Sequence, residues 1–159
     1  MLNFPRFYDS NIIKTYDDYV RFRDSGKLDG VTLKTLKGDN RIVDVGIQQI
    51  IDLFLGANVL YPAFCQNGTG STAVTAGDTG LATATGSRVA VNYKYRSGLS
   101  AKIDTFFTSA DQNATWAEVA LFTASSGGIM FCRKVYDSTF VKSTSNTATV
   151  TWTWTLSSS

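Results

Sequence analysis

Few side chains in this sequence are of a type that could do chemistry, and their spacing does not favour it. The chain has no histidine, which removes Ser-His-Asp and Cys-His catalysis, histidine-based zinc sites and the usual proton shuttle near neutral pH. Of its 13 acidic residues only Glu118 is a glutamate. The adjacent pair Asp17 and Asp18 diverges on either a helix or a strand, so it reads as a solvated face and not as a paired-carboxylate site. The run Gly68-Thr69-Gly70-Ser71-Thr72 superficially resembles a phosphate cradle, but it lacks the following lysine and helix, and a solvent loop is expected. Cys65 and Cys132 stand outside any Cys-x-x-Cys pair and read as reduced, buried, unreactive thiols. The tripeptides Asn67-Gly68-Thr69 and Asn113-Ala114-Thr115 match the glycosylation pattern, which matters only on a secretory route. No catalytic, metal-ligating or cofactor-binding residue is assigned, no cofactor is expected, and the chain is expected not to be an enzyme.

Glu118 lies in an otherwise apolar stretch, where an unpaired carboxylate is costly. A structural ion pair with Arg88 or Arg133 is expected.

Composition narrows the partners. Apolar residues make up 43% and charged residues 18% of the 159 residues, a globular balance. A net charge of +2 is too small for a protein that lives on nucleic-acid phosphates. No apolar run reaches the length of a membrane span. The N-terminal residues lack a signal-peptide pattern, so synthesis and folding in a reducing cytoplasm are expected.

The elements that must carry these residues fall into two regions. Residues 1–40 mix aromatics with charges, and Ser10 is a candidate cap for a short helix on which Tyr16, Tyr19 and Arg23 recur. Lys27-Leu28-Asp29-Gly30 reads as a turn, and residues 31–36 as a strand ended at residues 37–40. A clear helix follows, with Asp44 as its expected N-cap and Gly56 as its stop after Leu55. Its Ile47, Ile50, Ile51 and Phe54 share one face, expected to be packed on the core. From Leu60 the period changes to two. Strands are expected at residues 60–66, 88–96, 99–107, 116–123, 129–136 and 149–156, with a long Gly, Ser, Thr and Ala loop over residues 67–87. This spacing predicts a mainly β, antiparallel sandwich of immunoglobulin-like or jelly-roll-like type, with one short packed helix and an N-terminal arm. The expected division is an arm over 1–40 and a helix-plus-sandwich domain over 41–159.

The order of several short motifs resembles a group of small structural proteins of tailed bacteriophages. These motifs are Asp44-Val45-Gly46-Ile47-Gln48-Gln49-Ile50-Ile51-Asp52-Leu53, Gln66-Asn67-Gly68-Thr69-Gly70, Asp78-Thr79-Gly80-Leu81, Arg88, Ala117-Glu118-Val119-Ala120-Leu121-Phe122, Met130-Phe131-Cys132-Arg133-Lys134-Val135 and Thr149-Val150-Thr151-Trp152-Thr153-Trp154-Thr155-Leu156. The resemblance covers about residues 41–157, and it implies a tail, baseplate or fibre subunit of the virion, made in the host cytoplasm. Cys65 and Cys132 depart from it, standing where such proteins carry small apolar residues. The partners expected are copies of the chain itself, in a trimer or larger ring, and other virion proteins, with neither nucleic acid nor membrane.

A capsid decoration or cement protein is the nearest alternative. A carbohydrate-binding module of a fibre is a further one, with a glycan stacked on Trp116, Trp152 or Trp154. Against it, Trp152 and Trp154 share a face with Val150 and Leu156, which reads as core. Residues 1–40 are expected to cross to a neighbouring subunit, with Phe4, Phe7, Tyr8, Tyr16, Tyr19 and Phe22 as anchors.

Overall fold

A computed structural model describes residues 3–35, 40–57 and 59–156, with the side chains of residues 3–5 outside the described part. The expected turn at residues 37–39 and the last residue of the expected 31–36 strand lie outside it too. Ten strands form two antiparallel five-stranded sheets that pack face to face. The first sheet has the order β2 (Thr32–Thr35), β1 (Asn3–Asp9), β10 (Asn146–Thr155), β7 (Ser100–Phe107) and β6 (Tyr93–Ser97). The second has the order β3 (Arg41–Ile42), β9 (Met130–Lys142), β8 (Ala114–Phe122), β4 (Phe64–Gly68) and β5 (Val89–Ala90). The fold is the expected β-sandwich.

Alternation builds the core between the sheets. On β10, Ala148, Val150 and Trp152 point inward, while Thr147, Thr149, Thr151 and Thr153 fall on the other face. Opposite them Cys65, Val119, Leu121 and Cys132 come from the second sheet, and Trp116 lies edge-on to Phe107 with ring centres 5.1 Å apart. Cys65 is in register with Leu121, and Leu121 with Cys132. Their Cα atoms therefore sit two strand spacings apart, about 10 Å, beyond the span of a disulfide. Both thiols are buried and free. Burial pushes the Cys65 thiol up to about 12 and the Cys132 thiol well above its ordinary value, so neither is a ready nucleophile.

The N-terminal region corrects the expectation of an arm. β1 is hydrogen-bonded between β2 and β10 inside the first sheet, so the described residues 3–35 are built into the sandwich and do not extend from it as an arm. Helix α1 (Tyr16–Asp24) then lies over the outer face of the same sheet, followed by a 3₁₀ turn at Leu28–Gly30. Its cap is Thr15 and not Ser10: the Thr15 side chain accepts from the Asp18 amide at 3.1 Å, and the Asp18 carboxylate accepts from the Thr15 amide at 3.1 Å. That reciprocal box explains why the helix starts here.

Helix α2 (Asp44–Phe54) is the expected element, but its cap position is Val43 and not Asp44, which is the first helical residue; Gly56 is in the left-handed region at φ +73°. The strand expected over residues 88–96 is divided into β5 and β6, and β9 runs six residues further than expected, to Lys142.

Candidate functional site

Glu118 is wholly buried on β8 and is the centre of a polar cluster on the outer side of the second sheet. Its carboxylate accepts from the amides of Gly70, Ala82 and Thr83 at 3.2, 3.1 and 2.7 Å, and from Arg133 Nε at 2.8 Å. Arg133, 2% exposed, completes its fork on Asp78 at 2.6 Å and on the Thr72 carbonyl at 2.9 Å. Partial burial would raise the Asp78 carboxyl, yet hydrogen bonds from Thr75 and Arg133 hold it below its ordinary value. A Cβ at Gly68 or Gly70 would collide with the Glu118 side chain, so these glycines exist to let the loop backbone close over the carboxylate. The loop over residues 69–87 is therefore pinned to the sheet, and not free in solvent as its composition suggested. Every oxygen of Glu118 is committed, which leaves none for a substrate.

Arg88, the other expected partner, is elsewhere. It donates to the Ala124 and Gly127 carbonyls at 2.7 and 2.6 Å, and its guanidinium stacks 3.5 Å from the Phe122 ring centre. It locks the β8–β9 hairpin instead of neutralising Glu118.

Five of the six proposed anchors pack inside the fold instead of forming a docking surface. Phe7 and Tyr8 are wholly buried and Tyr19 is 6% exposed. Phe7 stacks on Phe140 with ring centres 3.6 Å apart. Tyr8, Tyr16, Tyr19 and Phe22 form, with Ile13, Leu28 and Phe106, a cluster between α1 and the sheet. The side chain of Phe4 lies outside the described residues. Alternation explains the outcome: Phe7 faces the sandwich core, while Tyr8 faces the helix that the same segment supplies. Trp116 and Trp152 are wholly buried, and Trp154 packs against the core. Trp116 and Trp152 therefore offer no ring to a sugar.

The surface that remains uncovered is on α2. The helix touches the sheet through its first turn, where Val43 and Val45 join Ala120, Phe122 and Met130. A Cβ at Gly46 would run into the Phe131 carbonyl, so the close approach requires glycine. Beyond that contact the apolar stripe faces out: Ile47 and Ile51 are about half exposed, Phe54 is 81% and Leu55 77% exposed. The expectation that this stripe packs on the core is thus corrected. Gln49 Oε1 accepts from the Leu60 amide at 3.1 Å, which holds exposed Leu60 and Tyr61 beside the helix. Periodicity found the stripe; nothing in a periodic pattern says what covers it.

Among the described residues no group of acidic or cysteine side chains is placed to hold a metal ion, and no helix is long and apolar enough to cross a membrane. No protein family, curated protein or solved structure matches the chain.

Proposed function

We propose that this chain is a non-enzymatic structural subunit that pairs with a second copy of itself through the exposed face of α2 and the adjoining Leu60 and Tyr61. The observation that carries the reading is the size of that face. Ile47, Ile51, Leu53, Phe54, Leu55, Leu60 and Tyr61 are all exposed. Ile47, Ile51 and Phe54 share one face of the helix, with Leu55, Leu60 and Tyr61 at its C-terminal end, an apolar surface of the kind that the centre of a specific interface buries. A soluble monomer rarely leaves so much apolar area uncovered in one place. A two-fold pairing is favoured because the patch is a single surface, and an isologous contact lets it cover itself. The only charges on α2 are Asp44 and Asp52.

The address we propose is the virion of a tailed phage, in its tail, baseplate or fibre region, and it rests on the order of short motifs along residues 41–157. Mass spectrometry and antibody labelling of purified particles test the address. Labelling at the tail end supports it, labelling over the capsid surface makes the chain a decoration protein, and its absence from particles overturns it.

A further inference from the structure

We propose that the α2 interface is keyed by an ion pair made twice across its two-fold axis, Asp52 of each copy meeting Lys94 of the other. The inference rests on the pairing of copies through α2, and it names the side chains that set the register of that pairing.

Asp52 is an anion at the unfavourable end of its helix. Asp44 stands in the first turn of α2, where the partial positive charge of the helix start favours a carboxylate. Asp52 stands in the last turn, beside the partial negative charge of the free carbonyls, and that turn holds no basic residue. Lys94 has the opposite need. It lies exposed on β6, with its ammonium 3.9 Å from the Tyr61 ring centre. The ring face attracts a cation but brings no counter-charge. Partial burial holds the ammonium below its ordinary value, as expected of a cation that has lost water without gaining an anion. Neither Asp52 nor Lys94 has a salt-bridge partner among the described residues.

The two charges border the same surface. Gln49 accepts from the Leu60 amide at 3.1 Å, so the Leu60–Tyr61 segment runs along the Gln49 side of α2. Asp52, three residues on, is the neighbour of Gln49 on the helix surface. Asp52 therefore marks the helix side of the patch and Lys94 its Tyr61 side. A two-fold axis passing between them turns the helix side of one copy onto the Tyr61 side of the other, and makes both pairs at once. A patch with one unpaired anion and one unpaired cation on its border is complementary to itself. An acidic partner would set like charge against Asp52, and a basic partner would do the same at Lys94. A second copy meets both.

Sedimentation equilibrium of the wild type, Asp52→Lys, Lys94→Glu and an equimolar mixture of the two variants tests the pairing. Each single reversal sets like charges against each other at both pairs, and should weaken self-association by about tenfold or more. Mixing the two variants should restore association to within about threefold of the wild type, because opposite charges meet again at both pairs. The double variant Asp52→Lys, Lys94→Glu in one chain should associate as the wild type does. A wild type that dimerises beside single variants that associate as strongly would overturn the ion pair and leave the α2 reading standing. Single variants that weaken association and do not recover on mixing would overturn it equally. A wild type that is monomeric at every concentration would overturn the interface and the pair together.

Discussion

The two helices of this protein invert what their compositions suggest. Five of the nine residues of α1 are charged, yet it is seated: Tyr19 lies 5.9 Å from Tyr8, Tyr16 lies 6.4 Å from Phe106, and the Tyr16 hydroxyl donates to Asp104 at 3.4 Å. Only Asp44 and Asp52 are charged among the eleven residues of α2, yet most of its apolar face is in solvent. The difference lies in what each can reach. α1 follows β1 after a short turn and meets a sheet face already carrying Tyr8 and Phe106. The bases of α2 are a glycine contact and two valines, and the loop pinned by Glu118 and Arg133 occupies the rest of that sheet face. An apolar stripe records a need for cover; the neighbouring chain decides whether the cover is internal.

The largest effect should come from cutting the pin beside α2. Glu118→Ala leaves Arg133 buried without its main partner and three amides unmet, and should cost about 3–5 kcal/mol in denaturant unfolding. Because the Asp44 amide donates to the Ala76 carbonyl at 2.9 Å, the same change should raise hydrogen exchange in the loop and at the start of α2, and leave α1 protected. Loosening of α1 to the same degree would erase the distinction between the two sides.

Next comes a matched pair of truncations. Tyr19→Ala empties a buried aromatic position and should destabilise the fold by about 3 kcal/mol. Phe54→Ala should change the stability of the monomer by less than about 0.5 kcal/mol. Similar values for both, measured at a protein concentration low enough to hold the chain monomeric, would mean that α2 is packed internally after all.

The smallest effect is a divergence with pH. Burial raises the Asp104 carboxyl under α1 above its ordinary 3.8, against the pull of Thr151, Arg23 and Tyr16. From about pH 4 upward the folded state then holds a proton that the unfolded chain has lost, so stability on this side falls as pH rises through the raised value. Asp78 has the opposite sign. Its lowered carboxyl contributes fully above 3.8 and loses that contribution as pH falls through the folded value. Asp104→Asn should therefore gain on the wild type as pH rises from about 4, and Asp78→Asn should lose less than the wild type on acidification. Parallel curves for either variant and the wild type would contradict the corresponding sign.

How much of this was legible in the sequence follows from which interactions are periodic. Val150, Trp152 and their alternating threonines announced β10, and Asp44 to Gly56 announced α2, because both patterns repeat locally. The need of Glu118 for a cation was also legible, since an acid in an apolar strand must be met. That the cation is Arg133 and not Arg88 depended on register across β8 and β9, where Ala120 faces Arg133. The seating of α1 was hidden for a different reason. Tyr8 and Phe106 are about a hundred residues apart and meet only because β1 inserts beside β10, a pairing that no local pattern encodes. The cavity between α1 and the first sheet was invisible for the same reason: its lining comes from six separate elements.

The central claim is that the α2 face is an interface between copies. Sedimentation equilibrium of the wild-type chain beside Phe54→Asp tests it most directly. The account predicts a dimer for the wild type and a folded monomer for Phe54→Asp, because a carboxylate at the middle of an apolar contact is left unpaired there. A wild type that stays monomeric at every concentration, or a Phe54→Asp variant that associates as strongly as the wild type, would contradict it.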